Sequence, residues 1–98
     1  MATDTIYPTG PIENFIHQVT ALQQFRKKHE RRFEELTERE KEILSLIADG
    51  MNNPSIADDL DISRATVQNH RARVRDKLNI NSQTGYIKYA LAYDLIEF

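Results

Sequence analysis

The 98-residue sequence predicts an all-α protein, with four short helices over residues 36–98 and one long helix over residues 12–35 ahead of them. Three observations predict it. Capping residues recur at Thr37, Asn52 or Asn53, Ser63 and Ser82, each followed by apolar side chains spaced three or four apart. Residues 12–35 contain no glycine or proline and repeat apolar side chains every seven residues. Finally, a very short helix and a basic helix are joined by a turn of three or four residues, which is the helix-turn-helix arrangement.

The elements follow in order. Residues 1–11, MATDTIYPTGP, lack periodicity and hold two prolines and a glycine, so a disordered leader is expected. In residues 12–35 the seven-residue pattern places Ile12, Val19, Arg26 and Phe33 in one register and Phe15, Leu22, His29 and Leu36 in the other. Such a seam suits packing on another helix, in a second copy or in the same domain. Thr37 with Glu40 makes a capping box for a helix ending near Ala48, with Glu40, Ile43, Leu44 and Ile47 inward and Gly50 as its left-handed stop. Pro54 is tolerated in the first turn of the next helix, because that amide needs no partner. Ser63 opens a helix to about Leu78, and Ser82 opens the last one, to about Leu95.

Net charge is −2, yet the charges are not evenly spread. Residues 37–62 carry −5, whereas residues 63–78 carry Arg64, Arg71, Arg73, Arg75 and Lys77 against Asp76 alone. One basic helix on an acidic body steers a polyanion to a single surface. Helical spacing divides that basic helix into two faces. Val67, Val74 and Leu78, with His70 between them, form the inward stripe, where His70 is expected to make a structural hydrogen bond. Ala65, Gln68, Asn69 and Ala72 lie opposite, where glutamine and asparagine can pair with base edges, adenine best of all. Ser63, Arg64, Thr66, Arg71, Arg73, Arg75 and Lys77, with Asn52 and Asn53 at the start of the short helix, are placed to meet phosphates.

The segments LTEREKEIL, ADGMNN-x-x-IA, IS-x-x-TV-x-NH and the closing KL resemble the LuxR/GerE-type helix-turn-helix, the effector domain of FixJ- and NarL-like response regulators, over about residues 36–96. The resemblance implies a bacterial transcription regulator that binds double-stranded DNA as a homodimer, with the basic helix in the major groove and the last helix at the dimer contact. It puts Gln68, Asn69 and Ala72 at bases, and Thr66, Lys77, Asn52 and Asn53 near phosphates. Family members often carry lysine where this chain has Pro54 and Ala65, so a weaker grip on the DNA backbone is expected. The last helix is apolar on all sides, and Tyr86, Ile87, Leu91 and Tyr93 are the expected dimer contacts.

Residues 12–35 exceed what such a domain needs. Three roles suit them: a signalling helix that joins a sensor to the DNA-binding domain, a coiled coil that strengthens the dimer, or packing on the chain's own body. In the coiled-coil case His29 would face its symmetry mate, and acid would weaken the contact. Other function classes fit poorly. His17, His29 and His70 lack metal-ligand spacing, and neither a phosphate-binding glycine loop nor a nucleophile with its base is present, so an enzyme and a cofactor are not expected. No apolar run nears the roughly 18 residues of a membrane span, and with no cysteine in the chain a reducing cytoplasm is expected. The alternative function for the same fold is contact with RNA polymerase or another regulator.

Overall fold

Why each helix starts and stops is visible in its caps. The computed structural model describes residues 11–96, as five helices: α1 Pro11–Glu34, α2 Glu38–Ala48, α3 Asn53–Leu60, α4 Arg64–Leu78 and α5 Gln83–Ala92. The expected disordered leader lies outside the described residues except for Pro11, which sits in the first turn of α1 where its missing N–H is harmless. Thr37 and Glu40 form the capping box of α2, with Glu40 N donating to Thr37 Oγ1 at 3.1 Å and Thr37 N donating to Glu40 Oε1 at 2.9 Å. Asn52, Ser63 and Ser82 each accept a first-turn amide, so the open choice at the start of α3 falls on Asn52. Gly50, at φ +89°, ends α2; its N–H reaches Ile47 O while Met51 N reaches Leu46 O, the paired bonds of a Schellman stop.

One apolar core joins the helices. Ile43, Leu44 and Ile47 of α2, Ile56 and Ala57 of α3, Val67, Val74 and Leu78 of α4, and Tyr86 and Tyr89 of α5 are all buried. At about 1.5–3 kcal/mol for each large apolar side chain removed from water, this cluster dominates the cohesion of the fold. Two longer-range bonds close the helix ends that the core leaves open. Gln83 Nε2 donates to Ile47 O at 2.7 Å, and Tyr89 OH to Leu78 O at 3.4 Å. Gly85 lets the first turn of α5 approach the α4–α5 connection, since a Cβ there would lie 3.0 Å from Ile80 Cγ2.

The second half of α1 packs on its own body, which decides part of what the seven-residue seam left open. Phe33 stacks on Tyr93 with ring centroids 4.0 Å apart, Phe25 meets Tyr89 edge-on at 4.9 Å, and His29 lies 5.5 Å from the Tyr89 ring. The two polar interruptions of the seam fall where α5 receives them. Arg26 bonds Asp94 at 3.2 Å and covers the Tyr93 ring, while the Tyr93 hydroxyl donates to Arg26 O. His29 thus faces Phe25 and Tyr89 of its own chain. Helix α5 stops at Ala92, short of the expected Leu95, because Asp94 turns left-handed (φ 60°) and Leu95 N folds back to Ala90 O at 2.8 Å.

Glu40 is the one buried charged residue among those described, at 2% exposure. Lys77 Nζ meets its Oε1 at 2.7 Å and also donates to Glu35 O at 3.1 Å. Burial alone would raise the Glu40 pKa, but the bonds from Lys77 and Thr37 together outweigh it and hold the carboxyl below its ordinary value. Glu40→Gln is therefore expected to cost about 2–3 kcal/mol in denaturant unfolding, less than a fully buried pair because Lys77 still reaches solvent. A depressed carboxylate stabilises the fold above its unfolded pKa near 4.5, and this contribution is lost as pH falls through the lower folded value. His29 adds a second, earlier window. Burial first, then the charges of Lys28 and Arg32, lower its pKa, so the folded state favours the neutral ring. Stability is accordingly expected to begin falling below about pH 6.5 and to do so less in His29→Gln, measured by thermal melts across pH.

Candidate nucleic-acid interface

The basic helix is held by its inner stripe. Val67 and Val74 are fully buried and Leu78 nearly so, which turns the opposite side of α4 to solvent. Ser63 fixes the start: its Oγ accepts Thr66 N at 3.0 Å and shares a 2.8 Å bond with Thr66 Oγ1. Just before it, Asp61 adopts a left-handed backbone (φ 56°) and Ile62 N bonds Ala57 O, giving the tight corner between α3 and α4. At the far end Asn79 repeats the left-handed stop (φ 55°).

On the outer face, Ala65, Gln68 and Asn69 are exposed and Ala72 is half-buried beside them. The two amides are thus available to hydrogen-bond with a partner, as base reading requires. Arg64 and Arg73 are exposed, and among the described residues neither enters an ion pair. Arg71 lies over the Tyr86 ring at 6.0 Å, which orients it without neutralising it, and Arg75 has a loose 3.6 Å contact with its neighbour Asp76. At the start of α3, Asn52 is exposed; its Oδ1 takes Ser55 N at 3.0 Å, which leaves the amide NH2 to donate outward. Asn53 is half-buried next to it. Pro54 is half-buried and Ala65 exposed, and neither offers a cation.

Four positions sit otherwise than expected. The Lys77 ammonium, expected at a phosphate, is bound to Glu40 and Glu35 O and ties α4 to the start of α2. The inward-facing Glu40 was the available signal, since a carboxylate on an apolar stripe requires a cation. His70 is half-buried, and among the described residues its Nδ1 has no hydrogen-bond partner, where a structural bond was expected. Of the expected dimer contacts, Tyr86 is buried in the core and Tyr93 is covered by Phe33 and Arg26 of α1. Ile87 and Leu91 remain half-exposed. Among the described residues no group of carboxylate or histidine side chains could hold a metal ion, and no helix is long and apolar enough to cross a membrane.

Comparison with known proteins agrees with this geometry. Residues 34–90 match the family described as bacterial regulatory proteins, luxR family. The chain belongs to that family, whose helix-turn-helix is a DNA-binding module of regulators and not an enzyme. It is 51% identical over 57 residues to the uncharacterized response regulatory protein YgeK of Escherichia coli, covering 58% of this chain and 39% of that protein. The oxygen regulatory protein NreC of Staphylococcus epidermidis is 44% identical over 66 residues, covering 67% of this chain and 30% of its own length. A putative transcriptional regulator of Pseudomonas aeruginosa is 34% identical over 90 residues, covering 92% of this chain and 41% of that protein. The chain therefore spans well under half the length of these relatives, and with the last of them the likeness extends into α1.

Free and committed cations should separate in a salt titration. Arg64→Ala and Arg73→Ala are each expected to lower the slope of log affinity against log salt by about one, with little change in melting temperature. Lys77→Met should do the reverse, lowering the melting temperature and leaving the slope unchanged.

Proposed function

We propose that this chain regulates transcription by binding a specific double-stranded DNA sequence, with α4 in the major groove and two copies on a pseudo-palindromic site. The observation that carries the reading is the exposure of Gln68 and Asn69 side by side, flanked by the exposed cations Arg64 and Arg73, which form no ion pair among the described residues. Amides read base edges, while guanidinium groups on either side grip phosphates and set the register. The first turns of α3 and α4 add backbone N–H groups and the Asn52 amide, and the positive ends of these helices favour phosphate. The names of the relatives, among them a transcriptional regulatory protein of Rhizobium johnstonii that is 43% identical over 61 residues, support a regulatory role. Such a role on chromosomal DNA places the protein in the bacterial cytoplasm.

Two recognition helices related by a twofold axis read half-sites about 34–36 Å apart along one groove face. With Tyr86 and Tyr93 committed inside the chain, Ile87 and Leu91 are what α5 retains for a second copy.

Selection of bound duplexes from a random pool tests the reading. A defined motif with two half-sites is expected, and Gln68→Ala or Asn69→Ala should relax the preference at one base step, at a loss of about 1–3 kcal/mol for the preferred base. Uniform weakening across all sequences would mean that these amides do not read bases, and recovery of no motif would remove the proposal.

A further inference from the structure

Between α1 and α5 the chain leaves space that it does not fill. Phe25 meets the buried Tyr89 edge-on at 4.9 Å, and beside that contact two clefts open, both bordered by Leu22 and Leu91. Helical spacing puts Gln18, Ala21 and Phe25 on one side of Leu22, and Val19, Gln23 and Arg26 on the other. The two sides differ in charge. On the Val19 side a cleft of about 240 Å³ is lined by Arg26 and Asp94, which already bond each other at 3.2 Å. On the Ala21 side a cleft of about 400 Å³ lies among Ala21, Leu22, Phe25 and Leu91, with Gln18 and Lys88 as its polar members. No carboxylate lines this larger cleft, and the exposed Lys88 enters no ion pair among the described residues.

Size and lining say what fits. Small-molecule sites span roughly 300–1,000 Å³ and combine apolar walls with a few polar groups that orient the ligand. An apolar body placed against Leu22, Phe25 and Leu91 leaves water and gains its affinity there. The ammonium of Lys88 and the amide of Gln18 select the other end of the ligand. Both can donate, and one positive charge calls for one negative charge, so a carboxylate suits the pair through charge-assisted hydrogen bonds. A phosphate monoester carries close to two negative charges, more than a single lysine balances. Ala21 keeps the wall open, since a larger side chain there would occupy the space itself.

We propose that this cleft binds a small amphipathic monocarboxylate, with its apolar body among Ala21, Leu22, Phe25 and Leu91 and its carboxylate at Lys88 and Gln18. Bound there, the molecule touches α1 and α5 together and favours the docked position of the long helix by mass action. The lining comes from α1 and α5 alone. The site is therefore separate from the amide-bearing face of α4, and it stands whether or not that face reads DNA.

Octanoate, kept well below its micellar concentration, is the probe. Titration of the full chain, followed by calorimetry and by amide NMR shifts, is expected to show saturable one-to-one binding, with the amides of Ala21, Leu22, Lys88 and Leu91 shifting together. Lys88→Met should weaken octanoate binding at least about tenfold while leaving that of uncharged octanol unchanged. Ala21→Leu should abolish binding of both by filling the cleft. Ala21 and Lys88 are exposed, so each variant should melt close to wild type. Octanoate should raise the melting temperature of wild type and not that of Ala21→Leu. Absence of saturable binding overturns the proposal, as does binding that neither substitution alters. Equal weakening of octanol and octanoate by Lys88→Met overturns it too, because the lysine would then hold no carboxylate.

Discussion

The shared ammonium of Lys77 is the constraint on which the placement of α4 depends. Glu40 faces the interior because the capping box and the apolar stripe of α2 put it there, and a buried carboxylate must find a cation. The cation comes from the last turn of α4, and the carbonyl of Glu35 takes another of its protons. Helical geometry turns this into orientation. Lys77 follows Gln68 by nine residues, about 180° around a helix of 3.6 residues per turn. Drawing Lys77 inward therefore reinforces the outward turn of Gln68 that the buried stripe Val67, Val74 and Leu78 sets.

Helix α1 serves two surroundings with one pattern. Its lower half completes the domain by covering the tyrosines of α5, and the aromatic stack and the Arg26–Asp94 bond make that docking specific where apolar burial alone would allow sliding. In its first turns Ile12 and Ile16 are exposed. The apolar surface of α5 is thus largely used within the chain, with Ile87 and Leu91 left half-exposed.

What could be read in the sequence was what is local. Thr37 with Glu40, Ser63, Ser82 and Gly50 act within four residues of themselves, so their roles followed from spacing, and the inward stripe Val67, Val74 and Leu78 followed from periodicity. The outward display of Gln68 and Asn69 was legible for the same reason. The bond from Lys77 to Glu40 was not foreseen because its partner lies 37 residues away, and nothing in the pattern of α4 marks a cation that meets a carboxylate. The fate of α1 was ambiguous for a related reason: a seven-residue seam looks the same whether its partner is another chain or a tyrosine-bearing helix 60 residues on. Arg26 and His29, the two polar members of that seam, were the clue to its partner.

The aromatic stacking between α1 and α5 also gives the molecule a built-in optical reporter. The chain has no tryptophan, and three of its four tyrosines, Tyr86, Tyr89 and Tyr93, sit on α5 or at its end. Near-ultraviolet dichroism therefore arises largely from one helix and what leans on it. Detachment of α1 would unstack Phe33 from Tyr93 and free the Tyr93 phenol, whose ionisation burial now pushes up to about 12. An alkaline spectroscopic titration thus monitors the seating of that long arm without any label.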